Sequence, residues 1–367
     1  MKIFIIAGEA SGDMHAGNLA KALKASDPSL DIRGWGGEKM EKSGVEVIKD
    51  YRELAFMGFV EVIANLRTIS KNFKLCKAQI AEFKPDAVVL IDYPGFNLRM
   101  AKFIKARGIK VFYYISPQVW AWKESRVKKI KKFVDRMFVI LPFEKDFFAK
   151  HDFDVDFVGH PLLDVTDQPA NDDFRKKHNL SSLPIIALIP GSRKQEIKHM
   201  LPVMNSVRLQ FADYQFVIAG VKNISLRYYN QLAPGVVVIK GDTYNLFRTA
   251  EAGLVTSGTA TLEAGLHNMP QVVCYKGGTL SYYIARALVK VKYISLVNLI
   301  MDREVVKELI QGEMTASHAA KELKKVLNPE KQGVLKAEYK TLQEKLGGPG
   351  ASERTANAML KILNDLN

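Results

Sequence analysis

One residue that could do chemistry is an aspartate placed at the end of an apolar run. Asp92 follows Ala87–Ile91 and precedes Tyr93-Pro94 in the segment IDYPGFN. The run is typical of a buried strand, so the carboxylate is expected at the carboxyl edge of a sheet. If it is partly desolvated there, its pKa would be raised and it could act as a general base. Aspartate also favours an Asx turn before Tyr93-Pro94, and spacing alone leaves both interpretations open.

A second acidic segment follows the first apolar run of the chain. Gly8–Asp13 (GEASGD), with His15 close behind, comes directly after Ile3–Ala7. This pattern predicts a small strand-to-helix turn that faces the same ligand-binding edge as Asp92.

Two loops in the second half have the composition of phosphate-binding turns. Gly191-Ser192-Arg193 follows the apolar run Ile185–Ile189, and Ser257–Glu263 (SGTATLE) follows Gly253–Thr256. Small residues let a ligand approach the free N–H groups of a helix start, and an arginine supplies a cation for phosphate. A capped turn with an exposed arginine, and a capping box completed by Glu263, are the alternatives. Neither loop matches a Walker A or complete GxGxxG motif, which disfavours a P-loop NTPase or a dinucleotide enzyme.

Aromatic and apolar residues beside lysines form further candidate surfaces. Trp120 and Trp122, in SPQVWAW, could form a stacking wall for a sugar, a membrane anchor or part of the core. A second set has helical spacing, with Arg67, Lys71 and Lys74 alongside. Its members are Phe59, Val62, Ile63, Leu66, Ile69 and Phe73. Such a stripe is usually core, although one preceded by Phe56-Met57-Gly58 could instead face lipid.

The elements that must position these residues alternate between short strands and amphipathic helices, which predicts parallel α/β sheets. In the first half, strands are predicted at Ile3–Ala7, Ala87–Ile91, Lys110–Ile115, Met137–Leu141 and Val155–Val158. In the second half, they are predicted at Ile185–Ile189, Gln215–Ala219, Val236–Ile239, Gly253–Thr256 and Gln271–Tyr275. A polar linker, Thr166–Asp173, separates the halves. The pattern predicts domains at residues 1–165 and 166–345, with a cleft between them, and a helical tail at 346–367.

Composition narrows the class of protein. A chain of 367 residues with 47% hydrophobic residues suits two globular domains. Its 53 Lys and Arg against 39 Asp and Glu give a net charge of +14, which attracts nucleic acid, anionic membranes or phosphorylated substrates. Two cysteines form no disulfide framework and indicate a reducing compartment. We expect no signal peptide, no membrane span and no metal-ligand cluster.

Taken together, the motifs resemble the lipid A disaccharide synthase family nearly end to end. The matching blocks are AGEASGD (7–13), MGFVEV (57–62), IDYPGFN (91–97), SPQVWAW (116–122), LPFEK (141–145), GHPL (159–162), PGSR (190–193), SGTATLE (257–263), SLVNLI (295–300) and GASER (350–354). Val297 departs from the family, which usually has proline before Asn298.

The resemblance implies a GT-B-like pair of Rossmann-like domains and an inverting, metal-independent glycosyltransferase without a cofactor. Its reaction would join UDP-2,3-diacylglucosamine to 2,3-diacylglucosamine 1-phosphate (lipid X), giving lipid A disaccharide 1-phosphate and UDP. Asp92 would be the base, Glu263 would bind ribose, and the diphosphate would be held by one residue set. That set is Arg193, Ser257, Gly258, Thr259, Ala260 and Thr261. Gly191 and Ser192, beside Arg193, would also bind substrate. Glu9 and His15 would be further catalytic candidates. Ser11, Gly12, Asp13 and Asn298 would be further substrate-binding candidates, with Glu304, Glu308 and Gln311 just after Asn298.

The resemblance also favours the lipid-facing interpretation of the apolar stripe. The membrane-facing or acyl-facing residues would be Met57, Phe59, Val62, Ile63 and Leu66. The protein would then be cytoplasmic and peripheral, on the anionic inner face of the bacterial inner membrane, with a homodimer possible through the C-terminal region. Two other hypotheses stay open on the residues alone. One is another UDP-GlcNAc-using enzyme such as a UDP-sugar epimerase or transferase. The other is a nucleic-acid-binding protein, which the phosphate-compatible loops disfavour, so no nucleic-acid partner is expected.

Overall fold

The structure, a computed structural model, describes residues 1–54, 66–122, 124–166, 173–278 and 291–365. The chain divides into two units. Unit 1 comprises Met1–Asp164 and Leu346–Asn367, and unit 2 comprises Val165–Lys345.

Unit 1 is built on a seven-stranded parallel sheet. Its strands are β1 (Lys2–Ala7), β2 (Asp31–Gly36), β3 (Glu46–Asp50), β4 (Ala87–Ile91), β5 (Lys110–Tyr114), β6 (Arg136–Val139) and β7 (Asp156–Phe157). The spatial order is β3-β2-β1-β4-β5-β6-β7. The sheet grows in one direction from β1 and in the other from β4, so these two neighbours mark the topological switch point.

Helices cover both faces of this sheet, because its strands are buried on both sides. The helices of unit 1 are α1 (Ala10–Ser26), α2 (Glu38–Lys42), α3 (Leu66–Phe83), α4 (Pro94–Lys105), α5 (Val119–Trp122), α6 (Val127–Phe133), α7 (Pro142–Ala149) and the tail helix α17 (Ala351–Asn364), and α8 (Leu163–Thr166) spans the boundary with unit 2. On one face, Phe4, Trp35 and Tyr113 pack with residues of α3 and α4. On the other, Met359 and Leu363 of the tail helix pack with Leu19 of α1.

A single carboxylate anchors the returning tail to unit 1. Asp164 accepts hydrogen bonds from the backbone N–H groups of Gly350, Ala351 and Ser352, at 2.7, 3.1 and 3.1 Å, and from the Ser352 hydroxyl at 2.9 Å. These groups form the first turn of α17, whose N–H donors would otherwise be unsatisfied. The chain therefore finishes on the unit in which it began.

Unit 2 repeats the architecture with a six-stranded parallel sheet. Its strands are β8 (Ile185–Ile189), β9 (Gln215–Gly220), β10 (Val237–Lys240), β11 (Ala252–Thr256), β12 (Gln271–Tyr275) and β13 (Glu308–Ile310). The order is β10-β9-β8-β11-β12-β13, which puts the switch point between β8 and β11. The helices are α9 (Phe174–Lys177), α10 (Lys194–Val207), α11 (Leu226–Leu232), α12 (Thr243–Thr249), α13 (Thr259–Leu266), α14 (Leu296–Met301), α15 (Ala316–Val326) and α16 (Pro329–Lys345).

The predicted parallel α/β class is confirmed, and each predicted strand coincides with an observed one to within a few residues. Three strands were missed, β2, β3 and β13. Within the described ranges, no helix is long and apolar enough to cross a membrane. Of the proposed lipid-facing stripe, Met57, Phe59, Val62 and Ile63 lie outside the described residues, as does the side chain of Leu66. Its last member, Phe73, is partly buried, stacks on Phe96 at 4.4 Å and packs against the core.

Candidate active site

The two acidic motifs of unit 1 meet at its switch point. GEASGD follows β1 and Asp92 follows β4, and these strands pair in register from Ile3–Ala87 to Ala7–Ile91. A Cβ added at Gly8 would lie 2.3 Å from Cδ1 of Tyr93, so the two turns are in direct contact. The sequence prediction that Asp92 lies at the carboxyl edge of the sheet is confirmed.

Asp92 is held in an unusual backbone conformation. Asp92 and Tyr93 have φ values of 40° and 46°, in the left-handed region that residues with a side chain rarely adopt. Buried Asn97 donates from Nδ2 to the carbonyls of Ile91 and Asp92, at 3.1 and 2.8 Å. The Tyr113 hydroxyl also donates to the Asp92 carbonyl, at 2.6 Å. Strain maintained by the surrounding bonds is a feature of functional sites.

The electrostatics of Asp92 suit proton transfer. Burial, reinforced by the charge of Glu9, raises the pKa of Asp92 to about 6, against a lowering hydrogen bond from the Tyr93 backbone. Burial and then Glu9 also raise the pKa of Tyr93. A carboxylate with such a pKa is ionised at neutral pH and yet basic enough to accept a proton from a hydroxyl group that acts as a nucleophile.

The contact between Gly8 and Tyr93 yields a first prediction. Gly8→Ala should push the Tyr93 ring away and shift the adjoining Asp92, lowering kcat by about 10- to 100-fold. Gly95→Ala is the matched control, because a Cβ there meets no atom within 4 Å. Steady-state kinetics on both folded variants would test this. Equal kcat values would show that the contact does not set the position of Asp92.

One other residue of the GEASGD region, Asp13, has structural partners. Asp13 is buried and accepts hydrogen bonds from the backbone of Gly37, Lys39 and Met40, at 2.7, 3.1 and 3.2 Å. It caps α2, which favours a structural role over the predicted substrate contact. Gly12 is also buried, whereas Ser11 is exposed at the start of α1.

His15 lies among different neighbours from those of Asp92. Burial lowers the pKa of His15 to about 4, although the charge of Asp164 acts to raise it. Burial, with the proximity of His15, likewise lowers the pKa of His160 to about 3. Both rings are therefore neutral at pH 7. This setting favours a packing role for His15 beneath the tail helix over the predicted catalytic one.

In unit 2, the PGSR loop follows β8 at the switch point. Gly191 has φ +105°, and Arg193 is the N-cap of α10 with its side chain 64% exposed. Glu196 Oε2 accepts the backbone N–H groups of Ser192 and Arg193, at 3.0 and 3.2 Å. The backbone N–H groups of Ser192 and Arg193, which we expected to be free, are thus occupied. The exposed Arg193 side chain, with Nη1 3.5 Å from Glu196 Oε1, is the cation that this loop presents.

The SGTATLE loop follows β11, the neighbour of β8. Gly258 has φ +147° and opens α13, and a Cβ added there would meet no atom within 4 Å. The Ser257 hydroxyl donates to the Ile294 carbonyl at 2.7 Å, and the Thr261 hydroxyl donates to the Gly258 carbonyl at 2.8 Å. These hydroxyls hold the loop. Its exposed end presents the amides of Thr259 and Ala260, which helix geometry leaves without intrahelical acceptors.

A cavity of about 420 Å³ adjoins this loop. Its lining residues are Gly241, Asp242, Thr243, Tyr244, Asn245, Arg248 and Glu263. The Tyr244 hydroxyl donates to Glu263 Oε1 at 3.0 Å, and the His267 ring stacks on Tyr244 at 4.7 Å. Burial raises the pKa of Glu263, while the bond from Tyr244 lowers it. The cavity thus offers a carboxylate, an aromatic ring and an arginine to one ligand.

Sequence reasoning found Glu263 but missed Tyr244 and Arg248. The signal that could have found them is the turn Gly241-Asp242-Thr243, which follows β10 as the other two loops follow β8 and β11. In the part of the chain that is described, no three His, Cys, Asp or Glu residues are placed to hold a metal ion.

Comparison with known proteins assigns the chain to a family. The model of the lipid-A-disaccharide synthetase family matches residues 3–362. The lipid-A-disaccharide synthase of Syntrophus aciditrophicus is 40% identical over 98% of this chain and 97% of its own length. That of Myxococcus xanthus is 38% identical over 99% and 97%. The chain belongs to the lipid-A-disaccharide synthetase family.

Solved structures support the fold. A putative UDP-N-acetylglucosamine 2-epimerase from Listeria monocytogenes aligns with a TM-score of 0.70 over 99% of this chain and 97% of its own, at 14% identity. The calicheamicin glycosyltransferase CalG4 aligns with a TM-score of 0.62 over 100% and 98%, also at 14% identity. These likenesses confirm the predicted fold, two Rossmann-like units of the GT-B type.

Asn298, in a sequence block typical of the family, has a different setting from the one expected. Its amide is fully buried and makes four hydrogen bonds. Nδ2 donates to the Val306 carbonyl and to Glu308 Oε1, at 2.8 and 2.9 Å, and Oδ1 accepts from Val305 and Val306 N–H, at 2.8 and 3.0 Å. Two donors and two acceptor positions are the whole capacity of an amide. The arrangement favours a structural role over the predicted substrate contact.

Asn298→Ala tests that role. It would leave three buried backbone groups of Val305 and Val306 unpaired, at a cost of about 3 kcal/mol or more. We expect the melting temperature to fall by roughly 6–12 °C. Asn230→Ala is the control, because exposed Asn230 only accepts a 3.4 Å bond from Gly235 and should change stability by less than about 0.5 kcal/mol. Lost activity at unchanged melting temperature would instead indicate a ligand contact.

Proposed function

We propose that this chain is the glycosyltransferase that condenses UDP-2,3-diacylglucosamine with lipid X, releasing UDP and lipid A disaccharide 1-phosphate. The observation that carries the proposal is its match, over nearly the whole length, to relatives named lipid-A-disaccharide synthase. The two switch points add chemical support. The switch point of unit 1 holds the carboxylate of Asp92, and that of unit 2 holds the Arg193 cation and the backbone amides at the start of α13.

On the donor side, unit 2 would bind UDP. The nucleoside would enter the cavity beside Tyr244, with Glu263 accepting hydrogen bonds from ribose hydroxyls. The diphosphate would meet Arg193 and the exposed amides at the start of α13. Breaking the anomeric C–O bond leaves negative charge on UDP, and each fixed donor directed at that charge is worth about 3–4 kcal/mol.

On the acceptor side, unit 1 would supply the base. Asp92 would take the proton from the 6-hydroxyl of lipid X as that oxygen attacks the anomeric carbon of the donor. The product is a β-1,6-linked disaccharide, and the configuration at the donor carbon inverts because the displacement is direct. Glu9 would serve this step indirectly, since its charge helps to keep the Asp92 pKa near the working pH.

Peripheral association with an anionic membrane surface is part of the proposal. The net charge of +14 favours such a surface, and both substrates carry acyl chains that must be drawn from lipid. We propose that the protein lies on the inner face of the bacterial inner membrane and that it forms a homodimer through its C-terminal region.

The epimerase alternative is not favoured. The solved structures named as UDP-GlcNAc 2-epimerases resemble the chain at 13–14% identity, which supports a common fold, whereas the relatives at 38–40% identity are named lipid-A-disaccharide synthases.

The decisive experiment supplies UDP-2,3-diacylglucosamine and lipid X in mixed micelles with EDTA, and follows UDP and disaccharide. We expect both products in equal amounts, and neither when lipid X is omitted. Turnover of UDP-GlcNAc without an acceptor would favour the epimerase. Absence of disaccharide in every detergent would refute the proposal.

A further inference from the structure

Glu144 is a buried carboxylate with an uncommon set of partners. It lies in the first turn of α7, directly after β6, and is 1% exposed. Its Oε2 accepts the backbone N–H groups of Leu141 and Ile140, at 2.9 and 3.2 Å, and its Oε1 accepts the indole N–H of Trp120 at 3.3 Å. Within the described residues, no Lys, Arg or His forms an ion pair with it. Burial raises the pKa of Glu144 to about 7, against these hydrogen bonds.

Helix capping alone does not account for this burial. Glu196 occupies the same third position of α10 and accepts two backbone N–H groups in the same way, yet its side chain is 33% exposed. A carboxylate taken out of water without a cation is costly. Glu196 pairs with Arg193, whereas Glu144 has side-chain hydrogen bonds with Trp120 and Ser116, which both lie in a different strand-to-helix connection.

That connection leaves the sheet beside Asp92. Tyr114 ends β5, and its carbonyl accepts the backbone N–H of Asp92 at 3.2 Å. The chain then turns at Ile115, with φ +66°, and reaches Trp120 in the short helix α5. The Trp120 ring is partly exposed and packs edge-on against Phe143 at 4.9 Å and 87°. Thus β4, β5 and β6 bring Asp92, Trp120 and Glu144 to one edge of one sheet.

We propose that Glu144 is a positioning residue whose hydrogen bond fixes the Trp120 ring as the wall against which the acceptor sugar stacks beside Asp92. This inference rests on the proposed function. An aromatic face suits the apolar C–H face of a pyranose, and it orients the sugar only if the ring cannot rotate. The indole N–H bond and the edge-on Phe143 contact restrict the ring from two sides.

The test separates acceptor binding from donor binding. Glu144→Gln keeps the shape but cannot accept from both the capping amides and the indole, and Trp120→Phe removes the indole donor. Each variant should raise KM for lipid X by about 3- to 10-fold, the equivalent of one lost hydrogen bond, with a much smaller change in kcat. The double variant should be no worse than the more impaired single one, because both lose the same bond. UDP affinity, measured by calorimetry, should be unchanged in all three.

Gln79→Leu is the matched control. Gln79 Oε1 accepts the indole N–H of Trp35 at 2.7 Å, elsewhere in the same unit, so this variant removes an indole partner without touching the Trp120 connection. Its KM for lipid X should equal that of the unmodified protein. Additive effects of Glu144→Gln and Trp120→Phe, or unchanged KM in both, would overturn the inference. If Glu144→Gln does not fold, the KM of Trp120→Phe for lipid X decides alone, and an unchanged value overturns the inference. Absence of turnover by the unmodified protein would instead refute the proposed function.

Discussion

Replacing Asp92 with asparagine is expected to abolish glycosyl transfer while the fold and UDP binding survive. Asparagine matches the size of the carboxylate but cannot take a proton, so kcat should fall by about 10²–10⁴-fold. Asp86→Asn is the matched control, because Asp86 is exposed at the opposite end of β4 and accepts only the Lys2 backbone N–H there. Turnover and UDP affinity measured on both variants would decide. Near-normal kcat in Asp92→Asn would remove it as the base.

The pH dependence gives the same prediction a second measurement. The proposed base works only when ionised, so kcat/KM should fall about tenfold per pH unit below pH 6, where the pKa of Asp92 lies, and be level above it. The raised pKa also affects folding. The folded state favours the protonated form, so the stability that this provides is complete below pH 3.8 and is lost as the pH rises through 6.

Asp92→Asn should therefore unfold at higher denaturant than the unmodified protein at pH 8, by an amount on the order of 1–3 kcal/mol. The difference should shrink towards zero at pH 4. A carboxylate that destabilises the fold when it is ionised is consistent with the strained backbone on which Asp92 lies. If Asp92→Asn were less stable at pH 8, its carboxylate would be a structural acceptor and the raised pKa would not describe it.

Much of the site could be predicted from the sequence because parallel sheets follow strict local rules. A run such as Ala87–Ile91 is too apolar to be anything but a buried strand, and the residue after it must lie at the carboxyl edge. The same reasoning located the loops after β8 and β11. It failed for β2 (Asp31–Gly36), where arginine and glycine interrupt the pattern. Gly34 is there because a Cβ would lie 2.1 Å from the Ile5 carbonyl oxygen, a contact between strands far apart in sequence.

The remaining features depend on partners that local patterns do not reveal. Asp13, His15 and Asn298 have residue types that suit catalysis, but their neighbours come from other elements and occupy or bury their polar atoms. Likewise, nothing near Glu144 in the sequence indicates that its carboxylate meets the indole of Trp120, 24 residues earlier. Polar side chains at sheet edges can be listed from sequence, whereas their assignment to structure or chemistry needs the packing.

Arg193→Ala is expected to weaken UDP binding by about 10- to 100-fold, the effect of losing a charged hydrogen bond to phosphate. The fold should tolerate it, because the side chain is 64% exposed and Glu196 holds the loop by its backbone. Arg193→Lys should recover only part of the affinity, since a lysine lacks the planar two-point geometry of a guanidinium. Arg208→Ala is the control, because it removes the same charge just beyond the far end of α10.

Comparing ligands then separates the two halves of the donor site. If Arg193 binds the diphosphate, its removal should weaken UDP but leave uridine affinity unchanged. Glu263→Gln should weaken both ligands, because the cavity that it shares with Tyr244 would hold the nucleoside. Competition titrations measure the affinities of Arg193→Ala and Glu263→Gln for uridine and for UDP. Equal losses for uridine and UDP in Arg193→Ala would place the arginine at the nucleoside. If Arg193→Ala lost no more UDP affinity than Arg208→Ala, the role of Arg193 would be limited to long-range electrostatic attraction. Arg193, which follows β8, can be the phosphate ligand only if its replacement weakens the binding of UDP and leaves the binding of uridine unchanged.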